Sequence, residues 1–177
     1  MKQEKYSEEV YGDLNWIDAL SDLKMSAYIK NRTIPVGEKL SCQLILWNRG
    51  AASISANVYI DTNNTGKLKC CTEDKMNDIL PGNIAYEIWT IKTDGKRIGE
   101  QEIGFFCEPK SGAYYGKTVG RYAMGALIGI RPGKSVSGFS TKYRIVDHIN
   151  CPQCSKDLIW RTEPKNGWYC DKCDGWL

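Results

Sequence analysis

Two closely spaced cysteine pairs, Cys151-Pro-Gln-Cys154 and Cys170-Asp-Lys-Cys173, constrain this sequence more than any other feature. A Cys-x-x-Cys turn aims two thiolates at one point. A hairpin between two such turns brings all four together in the tetrahedral arrangement that zinc accepts. The fifteen residues between the pairs suit a hairpin. Asp157 to Arg161 reads as a strand, Glu163-Pro164-Lys165-Asn166-Gly167 as a turn whose Asn-Gly pair tolerates positive φ, and Trp168-Tyr169-Cys170 as the returning strand. Four thiolates fill the coordination sphere, so the predicted Zn2+ is structural and leaves no position for substrate or activated water. Disulfides are the simpler alternative, and they need an oxidising compartment. His148, the only histidine, precedes Cys151 by three residues and is superfluous to a complete four-cysteine site.

The first residues, Met1-Lys2-Gln3-Glu4-Lys5, are charged and lead into no apolar core of signal-peptide length. No stretch approaches the ~18 apolar residues of a membrane span. A cytoplasmic location is the expectation, and the sequons at Asn31 and Asn63 then carry no meaning. The net charge of +3 is unevenly spread. Residues 1–30 hold four basic and six acidic side chains, residues 31–110 ten and ten, and residues 151–177 four and four. Residues 111–150 hold six and one, so any anionic partner belongs there.

Residues 7–20 predict a short amphipathic helix or an irregular arm within an N-terminal segment 1–22. Ser7 is its candidate N-cap, Glu8 and Glu9 fall in its first turn, and Val10, Leu14, Ile17 and Leu20 are spaced for one face. The pattern then becomes β. Strands are predicted at Lys24 to Lys30, Lys39 to Asn48, Ser53 to Asp61, Leu68 to Cys71, Ile84 to Lys92 and Arg97 to Cys107. Ile34 to Glu38 reads as a turn, and Asp94-Gly95 as the turn of a hairpin joining the last two strands. Six short strands at regular spacing predict an antiparallel sandwich over residues 23–110.

Four runs carry a family resemblance: Ile34-Pro35-Val36-Gly37-Glu38-Lys39-Leu40, Leu46-Trp47-Asn48-Arg49-Gly50, Ala56-Asn57-Val58-Tyr59-Ile60 and Leu80-Pro81-Gly82. They resemble the immunoglobulin-like domains of the CARDB and related bacterial and archaeal type. Those domains open with a Pro-x-Gly-Glu turn, carry an Asn-x-Gly corner and lead into a late strand with Leu-x-Pro-Gly. The resemblance implies an all-β, immunoglobulin-like antiparallel sandwich with a non-enzymatic, protein-contacting role, and brings no catalytic residues. Trp168 to Cys173 is similar to the second knuckle of the small zinc ribbons of archaeal and bacterial proteins, which implies a zinc ribbon over residues 148–177. Ser155 and Asp174 stand where a glycine follows each pair in such ribbons and in rubredoxin. Those glycines free the N–H groups that tune an iron site, so their absence argues against rubredoxin-like electron transfer. Cys42 and Cys107, 65 residues apart on predicted strands, resemble the intersheet cysteine pair of immunoglobulin domains. In a reducing compartment they are expected as buried free thiols.

Residues 111–147 are a third kind of sequence, rich in glycine, aromatic and basic residues, and read either as last strands (Thr118 to Arg131 and Phe139 to Val146) or as a linker. Lys117, Arg121, Tyr122, Arg131, Lys134, Lys142 and Arg144, with Trp168 and Trp176 from the ribbon, are the candidate contacts for a partner. Cations neutralise phosphates while aromatic rings stack on unpaired bases, so RNA or single-stranded DNA is one class of partner. The simpler reading is tight strand packing beneath a solvated basic face. Phosphate-binding loops, open metal sites and paired carboxylates are missing from the sequence, which predicts no enzyme. The expected protein is an interaction module, an accessory or structural subunit of a larger cytosolic assembly. Nucleic-acid binding and electron transfer stand as the alternatives.

Overall fold

The computed structural model describes residues 1–62, 72–93, 96–110 and 137–177. Its elements in chain order are β1 (Lys2–Lys5), α1 (Glu8–Tyr11), β2 (Ile17–Asp18), β3 (Leu23–Ile29), β4 (Thr33–Pro35), β5 (Lys39–Asn48), β6 (Ile54–Asp61) and β7 (Thr72–Ile79). β8 (Asn83–Lys92), β9 (Gly99–Pro109), β10 (Ser137–Val146), β11 (Ile159–Arg161), β12 (Gly167–Cys170) and β13 (Gly175–Trp176) follow. One five-stranded sheet has the order β1-β8-β5-β3-β2, the other β4-β10-β9-β6-β7, and a three-stranded sheet the order β11-β12-β13. Lettering β3, β5, β6, β7, β8, β9 and β10 as A, B, C, C′, E, F and G gives E-B-A in one sheet and G-F-C-C′ in the other. That partition defines an immunoglobulin-like sandwich. Contacts divide the chain into two compact units.

The first unit comprises Met1–Ile29, Cys42–Trp89 and Glu102–Thr141. Alternation decides which side chains it buries, because successive residues of a strand point to opposite faces. Leu23 and Met25 on β3 sit opposite Asn48 and Leu46 on β5. Val58 and Ile60 on β6 sit opposite Cys107 and Phe105 on β9. All eight are buried, and each large apolar side chain among them contributes about 1.5–3 kcal/mol. Asn48 is the one amide in this layer. Its Nδ2 donates to the carbonyls of Ala52 and Ile79 at 2.8 Å each, while its Oδ1 accepts the Gly50 N–H at 2.9 Å. The Asn-x-Gly corner exists because one buried side chain closes the β5–β6 turn and ties it to the end of β7.

Several expectations are corrected. Of the two readings of residues 7–20, helix or irregular arm, the helix is limited to one turn, α1, and Ser7 occupies its N-cap position without a side-chain cap bond. Val10 remains 65% exposed, so no buried apolar stripe supports a longer helix. Aromatic packing holds this segment instead. Tyr6 stacks on Trp47 with ring centroids 3.7 Å apart, and Trp16 tilts against Trp47 at 5.6 Å. The expected hairpin of residues 84–92 and 97–107 is not one. β8 lies between β1 and β5, whereas β9 lies between β10 and β6 in the other sheet. A turn signal locates a reversal without naming the partner strand. The Ile34-Pro35 part of the predicted turn is β4, and the turn follows at Gly37, whose φ is +88°. β7 was not anticipated, and the strand expected at residues 68–71 lies outside the described residues. The strand expected at Phe139 to Val146 is the main part of β10.

Replacing Asn48 with Ala removes the side-chain donor to the buried Ile79 carbonyl and to the Ala52 carbonyl, and the acceptor of the Gly50 N–H. The expected cost is about 3 kcal/mol of unfolding free energy, read from the urea midpoint at unchanged slope.

Candidate metal centre

The second unit comprises Lys30–Ser41, Thr90–Gln101 and Lys142–Leu177, and it contains the cysteine pairs. In its three-stranded sheet Trp160 pairs with Trp168 and Ile159 with Tyr169, while Tyr169 also pairs with Trp176. Period two then separates the faces. Leu158, Trp168, Cys151 and Cys170 form a buried cluster, with Val146, Ile149, Cys154 and Trp160 packed against it. Tyr169 and Trp176 lie on the opposite face with ring centroids 5.1 Å apart. The Arg161 guanidinium sits 4.0 Å over the Tyr169 ring and the Lys165 ammonium 5.0 Å from the Trp176 ring.

Each cysteine pair is a backbone turn closed by its own hydrogen bonds. In the first, the Ser155 N–H donates to the Cys151 carbonyl at 2.9 Å and the Cys151 N–H to the Lys156 carbonyl at 2.7 Å. In the second, the Cys173 N–H donates to the Cys170 sulfur at 3.4 Å. Ser155 and Asp174 adopt φ of +56° and +52°, the left-handed conformation that a glycine supplies at these positions in related knuckles. The turns are therefore complete without glycine, at a backbone cost of about 1–2 kcal/mol per residue. This overturns the argument against iron drawn from the missing glycines. The Asn166-Gly167 pair, expected at positive φ, is not there: Gly167 opens β12 opposite Arg161, and the reversal passes through a cis Glu163-Pro164 bond.

The four Sγ atoms lie within 4.8 Å of one another. Cys151 and Cys173 sulfurs are 3.8 Å apart and Cys154 and Cys170 sulfurs 3.5 Å. A tetrahedral ion with metal–sulfur bonds near 2.3 Å sets its ligand sulfurs about 3.8 Å apart, so the four cysteines fit a metal ion. The thiols also titrate unlike one another. N–H groups of Gln153 and Cys154 pointing at its sulfur draw Cys151 down to about 7, while Cys173, crowded first by the Cys154 thiol and then by burial, is pushed up to about 12. One thiolate forms readily and discourages the next, and a bound cation removes that opposition.

Other candidate residues fall elsewhere. Lys117, Arg121, Tyr122, Arg131 and Lys134 lie outside the described residues. Lys142 and Arg144 are exposed on β10, and the Lys142 ammonium pairs with Glu100 at 2.7 Å. Trp168 is buried, donating its Nε1–H to the Thr33 carbonyl at 3.2 Å, whereas Trp176 is half-buried. His148 is exposed beside Asp147 and is no part of the cysteine cluster. Cys42 and Cys107 are buried free thiols on β5 and β9, and burial raises both, Cys42 to about 12. Arg161, Lys165 and Tyr169 escaped sequence reasoning because only strand pairing puts them on one face with Trp176.

The sequence matches no known family and no curated protein. Among solved structures the fold is similar to the crystal structure of the CARDB domain of the PF1109 protein from Pyrococcus furiosus, which was determined in complex with di-metal ions. Identity is 11% and the TM-score 0.46, over 73% of this chain and 97% of that one. The immunoglobulin-like class follows from the strand order given above, and the four-cysteine cluster from its own distances.

Two outcomes follow from this geometry. Ser155→Gly relieves a left-handed backbone and is expected to raise the stability of the metal-loaded protein by about 1 kcal/mol, whereas Ser155→Val lowers it, both read as shifts in thermal midpoint. Iodoacetamide at pH 8 is expected to leave Cys42 and Cys107 unmodified in the native protein and to modify both after denaturation, as mapped by peptide mass spectrometry.

Proposed function

We propose that this protein is a non-enzymatic, zinc-binding interaction protein: an immunoglobulin-like sandwich carrying a structural zinc ribbon, and an accessory subunit of a larger assembly. The observation that carries the reading is the convergence of four cysteine sulfurs within 4.8 Å. Four thiolates around one ion are a closed set, which suits holding a backbone in place and leaves no vacancy for chemistry. Zinc is the metal of choice because it has no redox chemistry and accepts tetrahedral sulfur without geometric preference. The buried free thiols Cys42 and Cys107 support a reducing compartment such as the cytoplasm. No helix among the described residues is long and apolar enough to cross a membrane. The mechanism is rigid presentation. The sandwich offers faces and edges, and the metal substitutes for the apolar core that so small a ribbon lacks.

Elemental analysis of protein purified from cells grown with both metals supplied is the test. About one equivalent of zinc in a colourless protein, lost in Cys154→Ser, is expected. An iron-loaded, coloured protein contradicts the choice of zinc, and a metal-free protein contradicts the metal centre. Affinity purification from the native source is expected to return a stoichiometric second chain. A chain that elutes alone and turns over a substrate contradicts the accessory role.

A further inference from the structure

The second unit holds the cysteines together with residues 30–41, 90–101 and 142–147. Two hydrogen bonds tie the cysteine hairpin to the first of these segments. Trp168 Nε1 donates to the Thr33 carbonyl at 3.2 Å, and Asn31 Nδ2 donates to the Asn166 carbonyl at 2.9 Å. A third tie is apolar, since Val146 and Ile149 pack against the cluster of Cys151, Leu158, Trp168 and Cys170. Val146 ends β10, the strand beside β4. Its carbonyl accepts the Val36 N–H at 2.9 Å, and the Arg144 N–H donates to the Arg32 carbonyl at 2.6 Å.

β4 has three residues and, among the described residues, sits at the end of its sheet and pairs in parallel with β10 alone. A pairing so short and one-sided gives little stability of its own. What fixes β4 is therefore its neighbours, and Thr33 and Asn31 are bonded to the very strand and turn that the cysteines organise. A metal that binds only the folded hairpin stabilises everything that opens together with it.

We propose that metal binding at the four cysteines is coupled to the order of residues 30–41, so that the ribbon is a metal-dependent clasp on β4. This rests on the metal centre argued above. With metal bound, the Trp168 indole and the Asn166 carbonyl are held in place and β4 stays paired. On metal loss the hairpin opens, the Thr33 carbonyl and the Asn31 amide lose their partners, and β4 separates from β10. The Arg144 N–H and the Val146 carbonyl then line an open sheet edge.

Hydrogen exchange of the full chain by mass spectrometry tests this, comparing metal-loaded protein with the same protein after chelation under reducing conditions, metal content being measured on both samples. Chelation is expected to speed exchange about tenfold or more at residues 33–36 and 144–146 as well as across 148–177, with residues 42–48 and 54–61 unchanged. Faster exchange confined to 148–177 in a sample that has lost its metal overturns the clasp and leaves the metal centre standing. A starting sample without metal overturns both. Trp168→Phe keeps the ring and all four cysteines while removing the donor to Thr33. It is expected to retain its full equivalent of metal and to exchange faster at 33–36, and unchanged exchange there overturns the coupling.

Discussion

Four cysteine sulfurs gathered within 4.8 Å are not a stable arrangement by themselves. Thiols are weak hydrogen-bonding groups, and thiolates repel, so nothing intrinsic to the side chains favours their meeting. The apolar cluster beneath them is small, with Leu158 and Trp168 its only buried members among the described residues besides two of the cysteines. A core of that size does not offset the conformational entropy of ordering the hairpin. A cation bound by all four sulfurs, as proposed above, would supply what is missing, because its binding energy becomes folding energy. Through Trp168, Asn166 and Val146, that energy would reach β4 and residues 142–146 of β10, which lie in the same unit.

The first unit obeys a different constraint. Its strands β3, β6 and β7 and most of β5 bury apolar residues against one another, and its order follows from ordinary packing with no metal in the account. Asn48 shows how a polar group is tolerated in such a layer: both its N–H groups donate and its oxygen accepts at one corner. Cys42 and Cys107 occupy the B and F strands, where immunoglobulin domains place their disulfide, yet here they are neutral thiols that pack as apolar groups.

What the sequence disclosed follows the same division. β5 was readable to the residue and β6 to within one, because each buries Leu40, Cys42, Leu44 and Leu46 or Ile54, Ala56, Val58 and Ile60 at period two, with Ile45 and Asp61 the buried exceptions. β7 was hidden, since only Met76 and Ile79 of its eight residues are buried and its charged side chains mask the alternation. The sheet to which β8 belongs was hidden too, because partner choice is a long-range property that no local turn signal encodes. At the metal centre the ligands were legible from spacing alone. The glycine rule misled: Ser155 and Asp174 adopt the left-handed conformation that the knuckle demands, so the absence of glycine measured strain and not geometry. Trp168 was read as a surface for partners, and the bond to Thr33, 135 residues away in sequence, makes it part of the interior instead.

The central claim is that one ion is held by sulfur alone. X-ray absorption at the metal edge of the purified protein measures this directly. The account predicts a single shell of four sulfur neighbours at about 2.3 Å. A shell containing nitrogen or oxygen, or fewer than four sulfurs, contradicts it.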